Sequence, residues 1–225
     1  MLTHTAHHPR LIRDGLVTLA VLLVIGGIAG CDRLDPTQLW KEPREILVDR
    51  VEVARDAQQT AVEEFQTTME KFKAVTSFSG GDLETQFNTL DKAFRRSEAA
   101  ANDITRRIDR VAGAARLLVD EWRAELDKYH DPSLRQRAER QLDETRLQSE
   151  RLIDAMRMAE AKAKPVLDVF RDQVLFMKHN LNMQAITSLE TQTAAIETDV
   201  ADLIAEMRRS IDEAERFIGT LERGA

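Results

Sequence analysis

Apolar side chains recur along most of this chain at alternating steps of four and three. The longest unbroken run is Leu83, Phe87, Leu90, Phe94, Ser97, Ala101, Ile104, Ile108, Val111, Ala115, Leu118 and Trp122. That spacing gathers all twelve side chains into one stripe along an α-helix, with the 3.5-residue period of coiled coils. It predicts a helix from Leu83 to Tyr129, roughly 70 Å long at 1.5 Å per residue. A helix of that length cannot bury its stripe alone, so partner helices must lie beside it.

Three other segments supply them. Leu47, Val51, Ala54, Gln58, Ala61, Phe65, Thr68, Phe72 and Val75 predict a first helix from about Arg44 to Thr76. A third starts at Pro132 and carries Leu134, Ala138, Leu142, Thr145, Ser149, Leu152, Met156, Ala159, Ala163, Val166, Phe170, Val174 and Met177. Pro165 lies inside it and removes one backbone hydrogen bond, so a kink is expected, but the stripe keeps its phase and the helix should continue. The fourth carries Ile186, Leu189, Thr193, Ile196, Val200, Leu203, Met207, Ile211, Ala214, Phe217 and Leu221, and ends near Gly219 to Gly224.

The breaks between the runs have turn and cap chemistry. Gly80-Gly81 can take positive φ and Asp82 can cap the second helix. Asp131-Pro132 supplies a cap followed by a proline at the first helical position, and Asn182 can cap the last helix. The expected fold is all-α: a long antiparallel up-down-up-down four-helix bundle. Charged pairs at helical spacing, such as Asp91 with Arg95, Asp103 with Arg107 and Asp212 with Arg216, mark solvated faces. The polar stripe positions Gln58, Thr68, Ser97, Thr145, Ser149 and Thr193, with Gln173 beside them, fit residues that fix register in a coiled coil.

The runs are unequal, and this predicts an overhang. Counting back from the Gly-Gly turn, the second helix passes the start of the first at about Arg116. The hairpin from roughly Leu117 to Leu142 should project beyond it, with Trp122, Tyr129, His130, Leu134, Arg135, Arg137 and Arg140 at an exposed tip. The plainer alternative is that these residues only close a two-helix end.

Composition adds an address. Arg10 and Arg13 precede an uncharged apolar run from Gly15 to Gly30, and Cys31 follows it. Basic, apolar and small-residue regions in that order describe a secretory leader over residues 1–30. The run is short for a membrane span, which takes about 20 residues. Ile28-Ala29-Gly30-Cys31 is similar to a bacterial lipobox. That resemblance implies signal-peptidase recognition of Ile28, Ala29 and Gly30, cleavage before Cys31, and lipidation of its sulfur. The alternative is an uncleaved signal anchor. Residues 31–43 then form a tether and 44–225 one helical domain. Trp40, in the tether, could rest at a membrane interface or pack on the start of the bundle. The expected location is the periplasmic face of a bacterial membrane; Asp32 resembles an enterobacterial inner-membrane signal, which does not by itself decide between inner and outer.

The 225-residue chain is 32 % charged with a net charge of −7. Without residues 1–30 the net charge becomes −8. Such a chain is poorly suited to nucleic acid, whose binding draws on clustered positive charge. Cys31 is the one cysteine, which excludes an intramolecular disulfide and a cysteine-built metal site. His4, His7 and His8 fall in the leader. His130 and His179 fall in turns at opposite ends, and no Glu-x-x-His, HExxH or nucleophile-elbow pattern is present. The Gly-Gly turn has neither the preceding strand nor the following lysine of a phosphate loop. No catalytic residue, metal ligand or cofactor is therefore expected.

Two stretches carry a resemblance: Ile46 to Val51 with Ala54 to Gln59, and Phe170 to Phe176 with Lys178 to Asn182. Together with Gly80-Gly81-Asp82 and Ile204 to Met207, they resemble an uncharacterised bacterial lipoprotein family, domain of unknown function 2959. The resemblance spans about Arg44 to Leu221. It implies a helical envelope protein and brings no activity, ligand or catalytic residue. The functional expectation is a non-enzymatic contact or structural module, held to the membrane through Cys31 and engaging a protein partner. A different reading uses the 117–142 hairpin tip against lipid headgroups. A third is a ligand-sensing bundle or an unrecognised enzyme.

Overall fold

The computed structural model describes residues 42–78 and 80–223. The leader, the Ile28-to-Cys31 lipobox and Trp40 lie outside the described residues. Four helices account for nearly all of the rest: α1 (Pro43–Thr76), α2 (Leu83–Glu125), α3 (Pro132–His179) and α4 (Met183–Arg223). No strand occurs among the described residues. α1 packs on α2 and α4, and α3 packs on the same two, so the helices form a ring with α1 diagonal to α3. This is the antiparallel four-helix bundle that the stripes predict.

Each helix starts and stops where local chemistry requires. Pro43 stands in the first turn of α1, where its missing N–H costs nothing. Asp82 accepts from the amides of Glu84 (3.1 Å) and Thr85 (3.2 Å) and so caps α2. Gly81, at φ 110°, takes a conformation that side chains resist. Asp131 caps α3 through the amides of Ser133 (2.7 Å) and Leu134 (3.4 Å), and Asn182 accepts from Ala185 N at 3.0 Å to cap α4. α3 runs through Pro165 as one helix.

α2 ends at Glu125 rather than reaching Tyr129. Leu126–Lys128 tightens into one 3₁₀ turn, and Tyr129 is extended with its N–H on the Leu126 carbonyl at 3.4 Å. The chain must reverse before Pro132, and a 3₁₀ turn satisfies the closing carbonyls of a helix over a short distance. The Asp91–Arg95 pair forms at 2.9 Å and Asp103 pairs with Arg107. Arg216, however, pairs with Glu213 at 2.6 Å and reaches only the backbone carbonyl of Asp212. At this point the three-residue spacing competes with the four-residue spacing and wins.

The stripes converge on one core running from Leu47 to Val75 along α1. Phe72 and Phe170 meet across the diagonal edge to face, with ring centres 5.8 Å apart. Three polar contacts interrupt this core, and α1 takes part in each. The hydroxyls of Thr68 and Ser97 share a hydrogen bond at 2.9 Å. Thr193 Oγ1 donates to Thr76 Oγ1 at 3.4 Å. Ser210 Oγ donates to Gln58 Oε1 at 3.1 Å, while the buried Gln58 Nε2 has no hydrogen-bond partner among the described residues. Ser210 was not on the sequence-derived stripe; it lies one position before Ile211 and is the more deeply buried of the two, 1 % exposed against 9 %.

These contacts bear on stability in a defined direction. Ser210→Ala leaves the Gln58 carbonyl unpaired in the core and should cost about 1–2 kcal/mol, whereas replacing both partners by apolar groups removes the desolvation penalty. Urea unfolding should therefore rank Ser210→Ala below the parent, and Gln58→Leu/Ser210→Ala at or above it. If the double variant were the least stable of the three, the polar pair would be a net stabilising contact.

Candidate functional site

The hairpin overhang exists, but it begins later along α2 than the count from the turn suggests. Thr68 lies opposite Ser97 and the Arg44 guanidinium sits 5.6 Å from the Trp122 ring. α1 therefore begins level with Trp122, not Arg116. The Ser77–Asp82 loop carries the chain past the end of α1 before α2 starts, which moves every α2 residue about six positions along. Leu117 and Leu118 consequently lie beside the four-helix core, with Leu118 buried in it, while Val119 already belongs to the hairpin.

Beyond Trp122, among the described residues, only α2 and α3 with the 3₁₀ turn between them remain in contact. Val119, Leu126, Ala138 and Leu142 form a small cluster of their own. Trp122 is half-buried rather than exposed, and it packs against both this cluster and the main core. It is a joint, clamped from the α1 side by the cation–π contact with Arg44. The other residues of the hairpin end are at the surface. Tyr129 and Leu134 are 41 % and 44 % exposed; His130, Arg135, Arg137 and Arg140 are exposed. Arg135 is held by Asp127 at 3.2 Å and Glu139 at 3.0 Å. Arg137 reaches only the Ser133 carbonyl, at 3.4 Å.

At the base of the hairpin, on the side away from α1, α2 and α3 border a groove of about 510 Å³. Its floor is aliphatic: Ala112, Ala115, Val119 and Ile153. Arginines stand along its rim, and three are engaged: Arg157 with Asp109 (2.7 Å), Arg146 with Glu150 (2.8 Å) and Arg123 with Asp120 (3.2 Å). Arg116 donates only to the Ala112 carbonyl at 3.2 Å, with no carboxylate partner among the described residues. The sequence reading missed this groove. Its elements were visible as Ala112, Ala115 and Ser149 at or beside stripe positions, where small side chains leave space between helices.

The remaining chemistry is dispersed. His130 and His179 are exposed at opposite ends, and no group of three or more potential ligands is placed to hold a metal among the described residues. Every described carboxyl with a shifted pKa is shifted down. The Thr85 hydroxyl and the amides at the α2 start hold Asp82 below the usual carboxylate range, and Ser133 with Leu134 does the same for Asp131. Burial pushes Asp103 up, but Arg107 and Arg106 outweigh it and the net shift is down. At the end opposite the hairpin, Leu175, Phe176 and Met183 are 52 %, 41 % and 49 % exposed around the α3–α4 turn.

The joint makes hairpin order separable from bundle order. Trp122→Ala should cost about 2–3 kcal/mol, less than a fully buried tryptophan would. Amide exchange should accelerate over 126–142 while the amides of 47–75 keep their protection; equal loss in both segments would mean that the hairpin is not a separate unit. The cap adds a pH signature. Because the folded Asp131 carboxyl titrates below its unfolded value, its contribution is complete above the unfolded pKa. It disappears as pH falls through the lower folded one. Turn protection near 131–135 should thus fall only below about pH 4, and Asp131→Ala should abolish that dependence.

No curated protein matches the chain, and no solved structure does. A family model described as protein of unknown function (DUF2959) matches residues 37–221. That span covers all but the last two residues of the four helices just described, and on its strength the chain belongs to the DUF2959 family.

Proposed function

We propose that this protein is a lipid-anchored helical module on the periplasmic face of a bacterial membrane, acting by contact rather than catalysis. The observation that carries this reading is the overhanging hairpin. Two helices run past the end of the four-helix core, hold themselves together with four small or medium side chains, and expose Tyr129 and Leu134 at their tip. Tyr129 and Leu134 give the end of this projecting element an apolar surface suited to contact.

The lipobox residues Ile28, Ala29, Gly30 and Cys31 support the address. Cys31 lies eleven residues before Glu42, a reach of at most about 40 Å. The hairpin leaves the bundle at the end where α1 begins. Asp82 and Asp131 are spent on helix caps and Asp103 on ion pairs with Arg106 and Arg107, which fits a structural use of these carboxylates. Exposed Arg137, with only a backbone acceptor beside exposed Tyr129 and Leu134, favours a second reading in which the tip meets lipid headgroups.

Two measurements test the proposal. Cys31→Ala should move the protein from the membrane to the soluble fraction and abolish acyl labelling; a retained membrane fraction without label would instead favour an uncleaved anchor. A photo-reactive residue at Tyr129 should capture one discrete protein in living cells, and one at Arg209 on α4 should not. Lipid adducts alone from Tyr129 would select the headgroup reading. Capture of a protein only from a probe at Phe176 would move the contact surface to the opposite end.

A further inference from the structure

The groove between α2 and α3 has a use that the hairpin reading does not supply. We propose that it binds a single-chain amphiphile, with the anionic head on Arg116 and the unbranched aliphatic tail along the groove floor. This inference does not depend on lipidation of Cys31 or on a protein partner at the tip.

Four observations select that chemistry. The volume of about 510 Å³ lies in the range of small-molecule sites. The floor is made of Ala112, Ala115, Val119 and Ile153, which offer methyl and methylene surface and no aromatic face. A planar ring system would have nothing to stack on, since Trp122 lines a different cleft with Arg44. The one buried polar side chain there, Ser149, has its hydroxyl hydrogen committed to the helix backbone, shared between the carbonyls of Thr145 (2.6 Å) and Arg146 (3.0 Å). The floor therefore offers no side-chain hydrogen-bond donor to an anionic group, and recognition of the head must come from the rim.

At the rim the charges are not equivalent. Arg157, Arg146 and Arg123 each have a carboxylate, whereas Arg116 spends its Nε on the Ala112 carbonyl and keeps its other guanidinium N–H groups free of acid. A guanidinium fork of that kind takes a carboxylate or phosphate with two donors. Arg116 is also midway along the groove. About seven residues of α2 separate it from Asp109 at one end and from Arg123 at the other, so each arm is on the order of 10 Å. An octyl-length tail fills one arm with its head held at the centre, and the end of a dodecyl tail reaches past that arm. The neighbouring ion pairs are exposed and individually weak, so they yield to an incoming anion at little cost.

The test uses the full chain and a diazirine-bearing dodecanoate below its micelle concentration, with adducts mapped by mass spectrometry. Adducts are expected on 109–123 and 146–157, displaced by unlabelled dodecanoate and by monododecyl phosphate but not by dodecyltrimethylammonium. Stronger displacement by the phosphate ester would point to a phospholipid source of the ligand, and stronger displacement by the fatty acid to a free acyl chain. Arg116→Gln should lower groove labelling by about tenfold, the effect of losing one charge-assisted pair. Arg151→Gln, on α3 outside the groove, should not. Ala112→Phe, which fills the floor, should remove the groove adducts while the helical circular dichroism is kept. Adducts confined to other segments, such as the apolar run before Cys31, would overturn the assignment. So would equal displacement by the cationic amphiphile, or labelling indifferent to Arg116→Gln.

Discussion

The shortest helix sets the length of the shared core. α1 has 34 residues, against 43, 48 and 41 for α2, α3 and α4. A four-helix core exists only where all four stripes face one another, and α1 limits that span. Everything distinctive in the molecule follows from what the longer helices do beyond it. α4 ends close to the level at which α1 begins, since Ser210 lies opposite Gln58 and the last buried side chain of α4 is Leu221. α2 and α3 do not stop there, so they must complete a separate hairpin with a stripe that has lost two of its four partners.

Losing partners changes what each stripe position has to do. Along the four-helix section the α2 and α3 stripes hold Phe94, Ile104, Ile108, Leu152, Met156 and Phe170, large side chains that fill a central seam. In the hairpin the cluster shrinks to Val119, Leu126, Ala138 and Leu142. Two antiparallel helices alone bury little, and burial contributes roughly 25 cal/mol per Å² of apolar surface. The hairpin is therefore the part of the molecule with the least packing behind it and the lowest expected opening free energy. Trp122 offsets this by joining the two clusters in one side chain, and Arg44 fastens that joint to the first turn of α1. The point where the chain enters the bundle is thus also the point where the hairpin is held.

Heptad spacing made the fold readable because it is a local property that each helix states for itself. Turn chemistry did the same for Asp82, Asp131 and Asn182, whose cap bonds are made within three residues. The level of one helix against another is not local. The six residues from Ser77 to Asp82 gave no sign of how far they carry the chain before α2 starts, and that distance alone decided whether Trp122 was tip or joint. The partner of Gln58 was illegible for the same reason. Ser210 is one residue off the expected stripe, and only the rotation of α4 against α1 brings it inward. The groove escaped notice because a sequence lists side chains, and a groove is where small ones at Ala112, Ala115 and Ser149 leave room.

Placing the polar contacts on α1 has a further consequence for register. A purely apolar seam tolerates a slide of one heptad, because each layer then meets another of similar size. The three polar contacts resist such a slide, since it would take the Thr68, Ser97 and Ser210 hydroxyls and the Gln58 carboxamide from their cross-helix partners, whereas Thr76 and Thr193 keep the carbonyls of Phe72 and Leu189. Only α1 participates in all three, so α1 is the helix against which α2 and α4 are indexed. The same helix carries Arg44 at its first turn. A change in register of α1 would consequently withdraw Arg44 from Trp122, whereas the polar contacts oppose that change along the whole bundle.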